Sequence, residues 1–244
     1  MRYLLACSIA LAIAPPGRAQ ENEAEKLFRA MEKKIRTAKA FTVSATYSIG
    51  KRKSKADLLL TQDNKARLDV TGHFGRPAAG FEVVSDGKQS KSNGATLNVM
   101  PSGLPAIEAG GQSEWPTPKS FHASLCTTLC RGGMWYTVLT LPYARGGELG
   151  LDPDGAESKM KVYDFKLDGA EKVASRDAKV IRYRFGKGDG CRHDEEITLW
   201  IDAKTLLPLK RSFTLKIDMI PISETYDRFV LDPKIEARAF DLPK

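Results

Sequence analysis

The sequence predicts a mainly β protein in which a strongly curved antiparallel sheet wraps around helices, and three stretches predict it. Residues 41–49 alternate strictly, with Phe41, Val43, Ala45, Tyr47 and Ile49 on one face and Thr42, Ser44, Thr46 and Ser48 on the other. Residues 196–201 and 209–218 alternate again on either side of the breaker Asp202-Ala203-Lys204-Thr205, which is a hairpin pattern. Pro208 lacks a ladder donor and fits the start of the returning strand. Ahead of both, Ala24, Leu27, Phe28, Met31, Ile35 and Ala38 recur at helical spacing among Glu and Lys, so 22–39 reads as an amphipathic helix.

The remaining elements follow in chain order. Gly50-Lys51-Arg52-Lys53 is a basic turn, 55–62 and 65–71 form a hairpin around Asp63-Asn64, and 81–85 leads into the turn Asp86-Gly87-Lys88. Gly, Pro and Ser dominate 101–117; Pro118 then opens a helix over 119–130 that Gly132-Gly133 stops, making 101–133 an insertion or lid. Strands resume at 135–141, 161–167 and 180–185, and 225–231 and 235–240 add two short pieces after the terminal hairpin. About ten strands and two helices imply the curved, helix-filled sheet. A chain of this length can bury one core, so 20–244 is expected to be a single domain.

Arg2, the apolar run 4–14 and the small residues ahead of Gln20 have the three parts of a cleavable export signal over 1–19, which places the protein in the periplasm. That run is too short to span a bilayer well. The segment holds Arg2, Arg18 and no acid, so its removal lowers the formal charge from +8 to +6. The basic residues are scattered, which reads as a solvated surface in preference to a footprint for anionic lipid or another acidic partner. Export and the lack of any helix-turn-helix, zinc-finger or RNP pattern argue against nucleic acid.

Signals for chemistry are weak. Gly186-Lys187-Gly188-Asp189-Gly190 leads into a strand and offers no helix N-terminus for a phosphate; it reads as a hairpin loop. Asp152-Pro153-Asp154-Gly155 lacks the ligand spacing of a calcium loop. With His73, His122 and His193 as the only histidines and no G-x-S-x-G, no catalytic set is recognisable, and neither an enzyme nor a cofactor is expected. His122, Cys126 and Cys130 share one helical stripe and could join Cys191 and His193 in a zinc site. The favoured reading is instead a disulfide from Cys191 to Cys126 or Cys130, with no metal, because exported chains oxidise their thiols. Phe41, Val43, Tyr47, Phe213, Leu215 and Ile217 are candidate walls of an apolar cavity. A strongly bent sheet cannot bury its apolar face by closing on itself, so a helix or an acyl chain must fill the space.

The spacing of Leu199-Trp200-Ile201-Asp202, Thr205, Leu207-Pro208, Lys210-Arg211, Glu224-Thr225-Tyr226, Phe229 and Phe240-Asp241-Leu242-Pro243 resembles the periplasmic outer-membrane lipoprotein-sorting proteins, the LolA-like superfamily. The helix 23–38, the strand 41–49 and the turn Val84-Ser85-Asp86-Gly87-Lys88 extend the resemblance over most of the chain, while the 101–133 stretch and the cysteines depart from it. The resemblance implies an unclosed half-barrel whose concave face is covered by helices and shelters acyl chains in transit. The function it implies is a monomeric, non-catalytic carrier of lipoprotein acyl chains or other lipid. The alternative is a sensor or adaptor domain recognising an envelope membrane protein, and a hydrolase with an unrecognised site is a third class.

Overall fold

The computed structural model describes residues 22–72, 80–99, 105–140, 161–186, 194–216 and 219–243. The chain opens with helix α1 (Glu23–Thr37), whose N-cap Asn22 accepts the Glu25 N–H, with acids in the first turn and Lys34 and Arg36 in the last. A meander follows: β1 (Ala40–Ile49), β2 (Arg52–Thr61), β3 (Lys65–Gly72), β4 (Phe81–Asp86), β5 (Gln89–Val99) and β6 (Pro105–Pro116). Helices α2 (Phe121–Arg131) and α3 (Met134–Thr140) come next. A second meander, β7 (Lys161–Val173), β8 (Arg176–Gly186), β9 (Glu195–Asp202), β10 (Pro208–Leu215) and β11 (Ile220–Leu231), then completes the fold.

All neighbouring strands are antiparallel, and the sheet order is β6-β5-β4-β3-β2-β1-β11-β10-β9-β8-β7. The first and last strands therefore meet in the middle, with Phe41 opposite Leu231 and Ile49 opposite Ile222. The outer strands β6 and β7 do not pair, so the sheet is an unclosed half-barrel, as the resemblance implies. Its inner face carries Phe41, Val43, Ala45 and Tyr47 of β1, Leu58 and Leu60 of β2, Leu68 and Val70 of β3, Tyr183 and Phe185 of β8, and Ile197 and Leu199 of β9, all buried in one core with α1, α2 and α3. Phe28 of α1 packs tilted against Phe165 and Tyr183, at centroid distances of 5.2 and 5.0 Å. A small second cluster, Ala178, Val180, Trp200 and Leu209, lies apart from this core.

Four sequence expectations need correction. Residues 135–141, rich in aromatic and β-branched types, read as a strand; they form α3, because Met134, Trp135 and Val138 bury at helical spacing and the sheet caps the helix start. The inserted helix is thus two helices. The 101–133 stretch is not wholly an insertion: 105–116 is the edge strand β6, paired to β5, and neither strand stood out because their ladder matches polar residues such as Ser92 with Ser113. Residues 235–240 form no strand; Asp232, at φ 50, turns the chain out of the sheet and accepts the Lys39 and Ala40 N–H groups. Among the described residues the strands number eleven, in keeping with the expected ten or so.

Candidate functional site

The densest chemistry of the molecule lies where α2 and α3 meet the inner face of β10 and β11. Arg211 is fully buried. Its Nη1 donates to the Leu129 carbonyl at 3.0 Å and its Nη2 to the Cys130 carbonyl at 2.8 Å, both in the last turn of α2, where the Leu129 oxygen also accepts the Gly133 N–H. Directly opposite in the ladder stands Glu224, also fully buried. Its Oε1 accepts the Trp135 N–H at 2.7 Å and its Oε2 the Met134 N–H at 3.1 Å, at the start of α3. One cross-strand pair therefore caps both ends of the α2–α3 corner, the cation on carbonyls and the anion on amides, each with the sign that the helix dipole favours. Tyr226 strengthens the anionic side by donating its hydroxyl to Glu224 Oε2 at 2.6 Å.

Gly133 makes the corner possible. Its φ of 94° lies in the left-handed region, and a Cβ there would overlap Arg211 Nη1 and the Glu224 carboxylate. Register also matters. The β9–β10 pairing shifts between Pro208 and Lys210, which sends Leu209 to the second cluster and leaves Arg211 and Phe213 inward.

Further polar contacts tie the cover down. Tyr183 donates to the Arg131 carbonyl at 2.7 Å, and Arg131 Nε meets Glu32 of α1 at 3.0 Å, joining α2 to α1 and the sheet. Tyr136 of α3 donates to Glu195 Oε2 at 2.6 Å. Burial drives the Glu195 carboxyl up to about 7, against the opposing pull of the Tyr136 hydrogen bond and Lys216. Around these contacts the packing is aromatic: Trp135 lies 5.9 Å from Tyr47, and Tyr136 lies 5.3 Å from Phe185 and 5.8 Å from Phe213.

The residues expected to line a cavity are spread along this interface. Phe41, Val43 and Tyr47 are fully buried, Phe213 is 6% exposed, and Leu215 packs half-buried at the end of β10. Ile217 lies outside the described residues. In this structure α1, α2 and α3 occupy the concave face that these side chains form. A cleft of about 260 Å³ opens instead beside α1, lined by Arg29, Glu32, Lys33, Arg36 and Thr37.

His122 and Cys126 are neighbours, Nε2 to Sγ 3.4 Å, and Cys126 and Cys130 are buried thiols. Burial pushes the Cys126 thiol up to about 12 and Cys130 well above its usual value, and it lowers His122, with Arg36 adding to that effect. Cys191 and His193, needed for the expected disulfide or a zinc site, lie outside the described residues, as do His73, the loop from Gly188 to Gly190 and the residues 152–155. Among the described residues no group of three His, Cys, Asp or Glu could hold a metal, and no helix is long and apolar enough to cross a membrane.

Arg211 and Glu224 did not stand out as a site in the sequence, where Lys210-Arg211 reads as scattered surface charge. Strand parity carries the signal: Arg211 shares a face with Phe213, and Glu224 with Ile222 and Tyr226.

The geometry meets the known proteins at one span. Residues 145–216 match the MucB/RseB N-terminal domain. The matched span includes the Leu199 to Arg211 block that carries the resemblance to the lipoprotein-sorting superfamily, and it ends before Glu224. No curated protein matches the chain. Among solved structures, LprF from Mycobacterium bovis is 12% identical, with a TM-score of 0.45 over 89% of this chain and 97% of its own. MucB in the Pseudomonas aeruginosa MucA/MucB complex is 17% identical, with a TM-score of 0.44; the match covers 91% of this chain and 62% of that one. A domain ascribed to an outer membrane lipoprotein-sorting protein from Vibrio parahaemolyticus is 10% identical, with a TM-score of 0.35 over 89% and 97% of the two chains.

Proposed function

We propose that this chain is a non-catalytic carrier of the periplasm that shelters acyl chains of lipoproteins or other lipids on the concave face of its sheet. The observation that carries this reading is the way that face is covered. An apolar wall built by Phe41, Val43, Tyr47 and Phe213 lies under the short helices α2 and α3, and their corner is fastened by polar groups at defined points. Apolar contacts between a helix and a sheet can be exchanged for contacts with an acyl chain of similar area at little net cost, since the effect scales with buried area and is not directional. Phe41, Val43, Tyr47, Phe213, Leu215 and Ile217 are the wall in this proposal.

Delipidated protein should bind fluorescent fatty acids and acylated peptides. Each methylene removed from the chain should weaken binding about fourfold, from about 0.8 kcal/mol per buried methylene. Phe213→Glu should weaken binding at a temperature where circular dichroism shows the fold retained. Absence of binding at tens of micromolar, or affinity indifferent to chain length, would remove the physical basis of this reading.

The match of 145–216 to the MucB/RseB N-terminal domain supports a second reading, an adaptor that recognises an envelope protein. Isolation of a stoichiometric protein complex free of extractable lipid would favour it over the carrier.

A further inference from the structure

Two turns at one end of the sheet carry a combination of side chains that the carrier reading does not use. The β1–β2 turn and the β10–β11 turn lie side by side: Gly50 N–H donates to the Pro221 carbonyl at 3.0 Å, and Ile49 faces Ile222 in the ladder. Met219, in the second turn, is 73% exposed, and it and Leu167 are the large apolar side chains exposed among the described residues. Met219 also holds a φ of 52°, a left-handed backbone that disfavours side chains with a Cβ and that Gly or Asn adopts more readily. A methionine there gains nothing from the protein's own packing. Around it, Lys51, Arg52, Lys53 and Lys216 are exposed. Across the two turns the sequence holds these basic residues and one acid, Asp218.

We propose that this rim docks the protein on the anionic surface of a lipid bilayer, with Met219 entering the interface and Lys51, Lys53 and Lys216 facing lipid phosphates. The shape of the rim favours a bilayer over a protein partner. A stable protein interface takes about 800 Å² on each side, more than two tight turns present. A fluid lipid surface accepts one protruding apolar side chain inside a ring of cations, and electrostatic attraction supplements the small apolar burial.

The test is sedimentation of protein recovered from the periplasm with vesicles of pure phosphatidylcholine and with vesicles containing roughly one-third phosphatidylglycerol. Binding should require the anionic lipid and should fall at about 0.5 M salt. Met219→Asn should lower the partition coefficient about tenfold, the equivalent of losing one partly buried apolar side chain, while leaving the thermal midpoint unchanged or raised because Asn suits the left-handed backbone. The double variant Lys51→Ala/Lys53→Ala should lower it about fivefold per lysine and flatten the salt dependence. Lys172→Ala, near the β7–β8 turn at the opposite end of the sheet, should bind as the native protein does. Equal binding to both vesicle types, native binding by both rim variants, or an equal loss in Lys172→Ala would overturn the proposal. Acyl binding on the concave face is read separately with fluorescent fatty acids in solution, so failure of one assay leaves the other standing.

Discussion

Glu195 shows how one buried carboxyl sets a pH dependence. Its folded value, about 7, lies above the ordinary 4.5, with burial as the main cause. Between those two values the native protein keeps a proton that the unfolded chain has released, so stability should fall as pH rises from 4.5 to 7 and then level off. Glu195→Gln removes the titration yet keeps an oxygen for Tyr136. Urea unfolding at pH 8 should therefore find the variant more stable than the native protein by about 2 kcal/mol, with the difference vanishing near pH 4. A constant difference across that range would mean that Glu195 does not titrate there. Gly133 is the complementary case, where space decides. Gly133→Ala combines left-handed strain with overlap onto Arg211 and Glu224, and should cost about 3 kcal/mol in the same assay. Neither effect was visible in the sequence: Glu195 opens an alternating strand and Gly133 looks like a plain helix stop, and only the helix folded over them gives each its role.

At the scale of elements, strands whose faces differ in polarity were legible and the polar β5–β6 pair was not. β1, β9 and the β2–β3 hairpin followed from period-two alternation because one of their faces meets the core. β5 and β6 pair through Ser92 with Ser113 and Lys91 with Glu114, so no apolar stripe marked them. α3 was misread because Trp135, Thr137 and Val138 favour strands by themselves, and what makes them helical lies about ninety residues away in Glu224. That dependence is testable. Glu224→Gln leaves the buried Arg211 charge facing a neutral group and weakens two amide contacts, and should cost about 3 to 4 kcal/mol; Arg211→Met, which removes a donor from the Leu129 and Cys130 carbonyls and strands the Glu224 charge, should cost about as much. In the Arg211→Met/Glu224→Met double variant the two costs should fall short of additivity by 1.5 kcal/mol or more, roughly, because the second change removes a charge already left alone. Hydrogen exchange at the Met134 and Trp135 amides should accelerate in the Glu224 variant before exchange in β1 does. Uniform acceleration across the sheet would show that the pair acts on global stability and not on the α2–α3 corner.

For the whole molecule, the decisive contact is the pairing of β1 with β11. It joins the strands on either side of α2–α3 into a single sheet and sets Tyr47 opposite Glu224, while the β10–β11 ladder sets Arg211 on the other side of the same residue. The curved sheet around helices was legible because the sequence supplied an amphipathic helix and clean strands at both ends, and its unclosed half-barrel form was what the resemblance to the lipoprotein-sorting superfamily implied. The order of strands was not, since alternation gives each strand a face but no neighbour. The matched span 145–216 holds β7 to β10 and Arg211 but lacks β1, β11 and Glu224. It cannot form the corner by itself, and its β10 would be left with an open edge. The full chain should accordingly unfold in one cooperative transition, with far-ultraviolet circular dichroism and tryptophan fluorescence coinciding, because loss of β11 exposes both meanders at once. A fragment of 145–216 should show no cooperative melt, since four strands without the covering helices leave the inner face of Ile181, Tyr183, Phe185, Ile197 and Leu199 in water. Two resolved transitions in the full chain, or a sigmoidal melt of the fragment, would show that the C-terminal meander is a folding unit in its own right and that the β1–β11 ladder is a docking contact between two units.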